Sequence, residues 1–307
     1  MKVSIVGGAG GVGASLTFNL LRDGTADEVV VVDSRPNMVT SHLMDLEQVL
    51  EQGATGTVRA GEQDEVGDSD VVVMCAGAPL TVNTSRMIYL EDNARIMDAT
   101  LDHLDDDWGG TLLVITNPVD PLVTWAQRRS GIDRRRVIGY TLNDTLRFRT
   151  AIAKALGAQL GSVDAWVIGE HGDGCVPLHD RVRVNGEPVE LTPEQSAAAN
   201  EFLRNWYVRH VALDSGRSST WTSGLGVARM VRAVTADGAG ELWPASVVLE
   251  GEYGIRGLAI GVPVTLGGGG AQQVHEWDLT AEQTAAFLSA AALVRGAAEA
   301  ILGSPSF

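Results

Sequence analysis

The chain has 307 residues, 45% of them hydrophobic, and its 39 acidic and 23 basic residues give a formal net charge of −16. That length is enough for one large α/β domain or for two smaller lobes with a sizeable core. The negative charge argues against nucleic acid as a partner, because phosphate binding needs a basic surface.

In chain order, the first half alternates apolar segments with segments of helical periodicity. The apolar segments are short and rich in β-branched residues, which is typical of buried parallel strands, and they cover 3–6, 29–33, 70–77 and 111–118. The helical segments cover 12–22, 36–52, 85–106 and 119–130. This alternation predicts a doubly wound α/β fold with a parallel sheet.

The second half has a different pattern of elements. Its predicted helices cover 144–156, 193–213, 219–235 and 280–302. Short strand-like pieces lie between them, and a stretch rich in Gly and Val at 244–270 has the pattern of a hairpin. We therefore predict a first domain at 1–143 and a second, α+β domain at 144–307 that carries the substrate and catalytic residues.

The N-terminal stretch "VSIVGGAGGVGASL" joins the first strand to the first helix through glycines spaced G-x-G-x-x-G. The first glycine allows a sharp turn, the second lets the backbone approach a pyrophosphate, and the third permits close helix–strand packing. Asp33 ends the next strand, where a carboxylate accepts hydrogen bonds from ribose hydroxyls and repels a 2′-phosphate. We therefore predict a Rossmann domain that prefers NAD to NADP, a preference that Arg35 weakens only slightly. The predicted cofactor-binding residues of the turn are Gly8, Gly10, Gly11, Val12 and Gly13.

A second set of polar residues combines a histidine, a carboxylate, an asparagine and two arginines. His171 lies in "GEHGDG" just after a predicted strand, and a carboxylate bonded to its ring would fix the tautomer. Asp144 and Arg147 are three residues apart on a predicted helix and so share a face, where the arginine can hold a carboxylate. Asn117 follows a strand at the sheet edge where α/β folds bind ligands. Arg86 adds a second arginine, whose charge can polarise the carbonyl group of a substrate. Together these residues have the chemistry needed to reduce a 2-oxo acid.

Over essentially its whole length the sequence resembles the lactate/malate dehydrogenases. The shared motifs are "GGAGGVG", "CAGAP…SR", "TNPVDPL", "NDTLRFR", "GEHGD" and "SVVLEGEYG…GVPVTLGGGG". The body of the chain looks most like the malate dehydrogenases of the lactate-dehydrogenase-like branch, with "ADEVVVVD" and "VHEWDL" among the similar stretches.

This resemblance implies a role for each matching residue. His171 would be the proton donor and acceptor, with Asp144 as its partner, and Arg147 would bind the substrate carboxylate. Arg86 would close over the carbonyl on a mobile loop. Two asparagines, Asn93 and Asn117, would contact the cofactor or the substrate. The resemblance also implies a homodimer or homotetramer.

The loop "AGAPLTVNTSR" departs from the family at two positions. The residue six before the loop arginine reads the far end of the substrate, and it is generally Arg in malate enzymes and Gln in lactate enzymes. Leu80 stands there in this chain, and Asn83 replaces the usual glycine, which narrows the backbone freedom of the loop. A second carboxylate left unpaired against Leu80 would cost roughly 3–5 kcal/mol, which is about two to four powers of ten in turnover efficiency.

Other groups could still reach that carboxylate. Arg217 is one candidate, because it lies two residues before Ser219, which aligns with a pocket-lining position of the family. Thr81 could supply a weaker polar contact. A further alternative is that the loop is shifted by one residue and Leu80 merely packs.

We therefore expect an NAD-dependent L-2-hydroxy acid dehydrogenase with a non-standard 2-oxo acid as substrate, and malate dehydrogenase proper is the nearest alternative. A protein that binds NAD without catalysis is a second class of function, and the four polar residues of the predicted site argue against it. An NAD-dependent glycosidase would need a Cys/His metal site, and we predict no metal site. Without a signal peptide or a membrane-spanning run in the sequence, and with Cys75 and Cys175 expected to be reduced, we expect a cytoplasmic protein.

Overall fold

The computed structural model describes residues 1–78, 86–105, 107–215, 219–238 and 240–303, with the side chains of 86–88 outside the description. The strands of the first half are β1 (Lys2–Val6), β2 (Glu28–Val32), β3 (Thr57–Ala60), β4 (Val71–Met74), β5 (Thr111–Val114) and β6 (Val137–Tyr140). The helices that alternate with them are α1 (Gly11–Asp23), α2 (Pro36–Glu51), α3 (Arg86–Leu101) and α4 (Val119–Ser130).

These strands form the doubly wound parallel sheet that the sequence predicts. Their order is β3-β2-β1-β4-β5-β6, so the chain runs outward from β1 to one edge and then returns past β1 to build the other half. The central strands are buried on both faces; Val3, for example, pairs with Val29 on one side and Val71 on the other. Ligands of such sheets bind at the carboxyl ends of the strands, where the order reverses.

The sequence analysis missed two strands of this sheet and made two others too long. β3 is an edge strand whose residues are mostly exposed, so it lacks the apolar pattern of a buried strand. β6 is a short strand that directly follows a run of arginines. The predicted strands at 70–77 and 111–118 end instead at Met74 and Val114, because beyond these residues the chain leaves the sheet to form loops at its carboxyl edge.

The second half continues the same sheet. Its strands are β7 (Val163–Asp164), β8 (Val167–Gly169), β9 (Cys175–Pro177), β10 (Arg183–Val184), β11 (Glu187–Pro188), β12 (Glu241–Glu250), β13 (Arg256–Gly267) and β14 (Gly270–Val274). Its helices are α5 (Leu142–Leu156), α6 (Pro193–Ala212), α7 (Thr220–Thr235) and α8 (Ala281–Leu302). Strand β12 pairs antiparallel with β6, then β13 pairs with β12 and β8 with β13, whereas β7, β10 and β11 form a small separate sheet. The domain limits 1–143 and 144–307 stay a prediction.

Helix α8 is long and apolar enough to cross a membrane by length and composition, whereas the sequence analysis found no membrane-spanning run. One such helix is weak evidence for a membrane span, because a core helix passes the same test. The inner face of α8 is buried against the rest of the molecule, and Phe287, Val294 and Ile301 are among its buried residues.

The two cysteines are free thiols. Burial raises the pKa of both Cys75 and Cys175 to about 12. A thiol with so high a pKa is protonated at neutral pH and is therefore a poor nucleophile.

Candidate active site

The centre of the candidate site is a chain of three hydrogen-bonded side chains. The Nδ1 atom of His171 lies 2.5 Å from Oδ2 of Asp144, and the other oxygen of that carboxylate accepts a hydrogen bond of 3.1 Å from Nη1 of Arg147. All three side chains are largely buried, with between 10% and 18% of each exposed. The Asp144 carboxylate thus holds the imidazole on one side and the guanidinium on the other.

Two elements bring these residues together. Asp144 and Arg147 lie three residues apart near the start of α5 and so share a face of that helix, which contacts β8. His171 follows β8, whose last residue, Gly169, has a φ of +92° that a residue with a side chain would adopt only with strain. The loop is then closed by Glu170, whose carboxylate accepts a hydrogen bond from the N–H of Gly174.

The surroundings of His171 favour its protonated form. Burial by itself would lower the pKa of the imidazole, but the charge of Asp144 and its hydrogen bond to the ring outweigh the burial, and Asp120 adds to them. The pKa of His171 is therefore raised above its ordinary value. With Asp144 accepting from Nδ1–H, the ring nitrogen that remains for a ligand is Nε2.

Asp120 is a further residue of the site that the sequence analysis did not single out. It lies in the first turn of α4, is 1% exposed, and accepts a hydrogen bond of 2.7 Å from the backbone N–H of His171. Its other oxygen and the buried hydroxyl of Ser246 have no hydrogen-bond partner of regular geometry in the part of the chain described. Burial raises the pKa of Asp120 to about 6, against the opposing effects of Ser246 and the His171 N–H. The one sign of Asp120 in the sequence is that a carboxylate interrupts the apolar residues at the start of this predicted helix.

The glycine turn before α1 has the geometry of a dinucleotide-binding loop. The left-handed conformation lies at Gly7, with φ +83°, and the N–H of Gly10 donates to the Gly7 carbonyl, so Gly8 lies within this tight turn. A Cβ atom on Gly13 would lie 2.6 Å from the carbonyl oxygen of Gly7, so the third glycine is needed for close helix–strand packing, as expected. Gly10 caps α1 without a side-chain hydrogen bond, and the first turn of the helix contains no acidic residue. The N-terminus of α1 is therefore suited to an anion such as a pyrophosphate.

Asp33 lies beside this turn, directly after β2. Its carboxylate accepts hydrogen bonds from the N–H of Ala9 at 3.0 Å and from Nε and Nη2 of Arg35 at 2.9 and 3.1 Å. Burial acts to raise the pKa of Asp33, but the hydrogen bonds from Arg35 and Ala9 outweigh it and the pKa is lowered. The backbone N–H of Arg35 donates a further hydrogen bond of 3.1 Å, so these four donors use all the lone pairs of the carboxylate. A ribose hydroxyl could therefore bond Asp33 only by displacing the exposed side chain of Arg35.

The two predicted asparagines differ in their surroundings. Asn93 is fully buried, its Oδ1 accepts from the N–H of Ala78, and its Nδ2 donates to the carbonyl of Asn117, each over 2.7 Å. It thereby connects the loop after β4 to the loop after β5. Asn117 is exposed at the carboxyl edge of the sheet, where its side chain can reach a ligand. Contact of either residue with cofactor or substrate stays a prediction.

The remaining predicted residues lie near the glycine turn or outside the described part of the chain. Ser219 is half-buried and caps α7, and its neighbour Thr220 lies close enough to α1 that a Cβ on Gly11 would be 2.5 Å from its Cγ2 atom. The start of α7 thus packs against the start of α1. Outside the described residues lie Leu80, Thr81, Asn83, Arg217 and the side chain of Arg86. Within the described ranges, no group of three or more His, Cys, Asp or Glu is placed to hold a metal ion.

Comparison with protein families gives two matches that together span most of the chain. Residues 1–139 match the model described as lactate/malate dehydrogenase, NAD binding domain. Residues 141–301 match the model described as lactate/malate dehydrogenase, alpha/beta C-terminal domain.

Individual relatives include malate dehydrogenases and L-lactate dehydrogenases. The chain is 37% identical over 285 residues to the malate dehydrogenase of Natronomonas pharaonis, which covers 91% of this chain and 92% of the relative. It is 33% identical over 298 residues to L-lactate dehydrogenase 1 of Staphylococcus aureus, covering 94% and 93% of the two chains.

Solved structures have the same fold. The crystal structure of Cryptosporidium parvum malate dehydrogenase superimposes with a TM-score of 0.90 at 25% identity, covering 99% of both chains. A minor L-lactate dehydrogenase from Enterococcus mundtii superimposes with a TM-score of 0.87 at 26% identity, covering 97% of both chains.

Proposed function

Because the chain belongs to the lactate/malate dehydrogenase family, we propose that His171, Asp144 and Arg147 carry out its reaction. The chain is an NAD-dependent oxidoreductase that interconverts a 2-hydroxy acid and a 2-oxo acid. The observation that supports these roles most strongly is the hydrogen-bonded chain from the imidazole through the Asp144 carboxylate to the guanidinium.

In this proposal His171 handles the proton of the reaction. When bound, the nicotinamide cofactor supplies or takes up the hydride at C2 of the substrate. In reduction, Nε2 of His171 donates its proton to the carbonyl oxygen, which becomes the hydroxyl; in oxidation, the neutral imidazole accepts that proton. Asp144 holds Nδ1–H, so that Nε2 faces the substrate, and stabilises the imidazolium.

Two arginines are proposed to hold the substrate. Arg147 gives one Nη1 hydrogen bond to Asp144, and its other N–H groups are proposed to bind the C1 carboxylate of the substrate. Arg86 is proposed to polarise the C2 carbonyl, as the resemblance to the family implies. The residues proposed to hold NAD are Gly8, Gly10, Gly11, Val12, Gly13, Asp33, Asn93 and Asn117.

For the substrate, we propose a non-standard 2-oxo acid with an apolar or extended side chain. This proposal rests on Leu80 in the sequence, which offers no partner to a second carboxylate. The test is NADH oxidation with a panel of oxaloacetate, pyruvate, and branched, aromatic and extended 2-oxo acids. Turnover of a bulkier or apolar acid well above oxaloacetate is the expected result. If oxaloacetate is preferred by orders of magnitude, Leu80 does not determine specificity.

The variant Leu80→Arg tests the same residue directly. A cation at this position should raise kcat/KM for oxaloacetate on the order of a hundredfold, because it would pair the second carboxylate. Leu80→Met is the matched control, since it keeps an apolar side chain of similar volume. An Arg variant that gains nothing on oxaloacetate relative to the Met variant would argue against the proposed role.

Malate dehydrogenase proper is the second candidate. It is supported by the 37% identity to the malate dehydrogenase of Natronomonas pharaonis. It requires another cation for the second carboxylate, and the sequence offers Arg217. In that case Arg217→Ala, and not a change at Leu80, should abolish the preference for oxaloacetate over pyruvate.

We also propose that the protein is a cytoplasmic homodimer or homotetramer. The exposed apolar side chains of Phe18 and Trp221 line a groove between α1, α2 and α7, and Met44 and Leu225 are also exposed on α2 and α7. A second copy of the chain would cover them, as the family resemblance implies. Light scattering with Trp221→Glu tests this, and a variant with the wild-type mass would show that this surface is not the subunit interface.

The cytoplasmic location is supported by the two free cysteines.

A further inference from the structure

The guanidinium of Arg147 is held on a second side by an aromatic ring from another helix. Its Cζ atom lies 4.0 Å above the centroid of the Trp206 ring. Trp206 lies on α6, which packs along α5, and its side chain is half-buried. On the same helix, the ring of His210 stacks on Trp206 with the ring centroids 5.0 Å apart and the planes 11° from parallel. The indole of Trp206 thus contacts both the guanidinium of Arg147 and the imidazole of His210.

We propose that Trp206 is a positioning residue for Arg147, which holds the guanidinium plane in the orientation that receives the substrate carboxylate. The inference rests on the proposed function, in which Arg147 binds that carboxylate. No motif of the sequence marks Trp206, because it lies far from Arg147 in the chain and on a helix that carries none of the shared motifs.

The geometry explains why both contacts are needed. An arginine side chain has four rotatable bonds, so the single hydrogen bond to Asp144 fixes one nitrogen but leaves the plane free to turn about it. The indole lies against the guanidinium carbon and so restricts this rotation. A guanidinium has five N–H donors, so those that do not bond Asp144 can still bond a substrate carboxylate.

The indole also changes the surroundings of the charge. It replaces water on one face of the guanidinium, and an arginine shielded in this way binds a carboxylate more strongly than one in bulk water. His210 stacks on the indole and limits the rotation of that ring. Trp206 is therefore expected to affect the binding of the substrate rather than the binding of the cofactor or the transfer of the proton.

The first experiment compares Trp206→Ala, Trp206→Phe and Tyr207→Ala with the wild type. Tyr207 is the matched control, because it is the neighbouring aromatic residue of α6 and is exposed. For the 2-oxo acid of the panel that the wild type prefers, Trp206→Ala should raise KM about tenfold, as expected for the loss of a desolvated cation–π contact. Its kcat and its affinity for NADH should change little, Trp206→Phe should restore most of the binding, and Tyr207→Ala should match the wild type.

The second experiment measures the NMR signal of the Arg147 side chain and does not depend on turnover. In a ¹H–¹⁵N spectrum of arginine side chains, the Nε–H signal of Arg147, assigned with Arg147→Lys, should be shifted by the ring current of Trp206. Trp206→Ala should remove that shift, whereas Tyr207→Ala should keep it.

The outcomes separate this inference from the proposed function. A wild type that reduces no 2-oxo acid overturns the proposed function, and the arginine spectrum then decides whether Trp206 orients Arg147. An active Trp206→Ala enzyme with the wild-type KM, or an Arg147 signal that Trp206→Ala leaves unchanged, overturns the positioning role. A Trp206→Ala protein that loses NADH binding as strongly as substrate binding shows a general structural defect and also overturns it.

Discussion

His171 is held by two carboxylates that act on different parts of the residue. Asp144 bonds the ring and Asp120 bonds the backbone N–H, and both raise the pKa of the imidazole. The ring contact sets the tautomer, whereas the backbone contact sets where the loop after β8 places the ring. Substitution of each carboxylate should therefore have a different effect.

Replacement of the ring partner should lower the pKa of His171 and slow the reaction. In Asp144→Asn the imidazolium loses its counter-charge, and the amide can also stabilise the wrong tautomer, so kcat should fall on the order of 10²- to 10⁴-fold. Reduction of the 2-oxo acid needs protonated His171, so its rate falls as pH rises through that pKa. In the variant this fall should come at a lower pH than in the wild type.

The measurement is kcat/KM for reduction as a function of pH. Asp164→Asn is the control, because Asp164 pairs with another arginine of α5, Arg149, and is largely exposed. A pH profile of Asp144→Asn that coincides with the wild-type profile would contradict the role of Asp144.

Replacement of Asp120 should change how stability depends on pH. Its pKa of about 6 in the folded protein is above the ordinary value of about 4, so the folded state binds more protons than the unfolded state between these limits. This contribution to stability is fully present below about pH 4 and is lost as pH rises through about 6. Relative to Asp120→Asn, the wild type should lose up to about 3 kcal/mol of unfolding free energy over that interval.

Urea unfolding of both proteins at about pH 4, 5, 6 and 7 gives this difference directly. Asp102→Asn, in which an exposed carboxylate is replaced, should run parallel to the wild type. A difference between Asp120→Asn and the wild type that is constant across the range would mean that Asp120 titrates normally.

At the scale of elements, the turn between β1 and α1 contains glycines that are needed for different reasons. A Cβ on Gly13 would meet the backbone of Gly7 and Gly8 at 2.6 Å, and this backbone cannot move without displacing the strand. A Cβ on Gly10 would meet only the Gly7 carbonyl, at 3.2 Å, and the end of the flexible Arg35 side chain. Gly13 therefore serves packing, whereas Gly10 leaves room for a ligand.

Alanine at the two positions should therefore give opposite patterns. Gly13→Ala should lower the free energy of unfolding by about 1–3 kcal/mol, because it overpacks the helix–strand contact. Gly10→Ala should cost less stability but weaken NADH binding on the order of tenfold, because the methyl group occupies the approach of the pyrophosphate. The two readouts are urea unfolding and NADH fluorescence titration. Equal losses of stability in the two variants would contradict this assignment.

The whole molecule carries a formal net charge of −16, and folding brings these charges closer together than they are in the unfolded chain. Repulsion among these charges opposes the compact state. Salt weakens the repulsion, because the distance over which two charges still interact shortens as the salt concentration rises. The Tm should therefore rise by on the order of 5 °C between about 0.05 and about 0.5 M NaCl. Chloride is the suitable anion, because sulfate would also strengthen apolar burial. A Tm that stays flat or falls would mean that local ion pairs offset the net charge.

Much of the fold and the main polar residues of the site could be predicted from sequence because their signals are local. β-branched segments apolar on both faces indicate buried parallel strands, and the glycine spacing before Asp33 indicates a dinucleotide loop. Asp144 and Arg147 share a face through the periodicity of one helix. The family resemblance implies that Asp144 is the partner of His171, and the 2.5 Å contact between them gives this pair a geometry.

The remaining features depend on which segments meet in space, which no local pattern encodes. Asp120 bonds a residue 51 positions away, and Trp206 comes from a helix that only packing brings over Arg147. The pairing of β12 with β6, which extends one sheet across both halves of the chain, is likewise a contact between distant segments. The sequence by itself thus determined the chemical groups of the site, whereas the tertiary structure decided how they are held, because burial and orientation arise only when distant elements pack together.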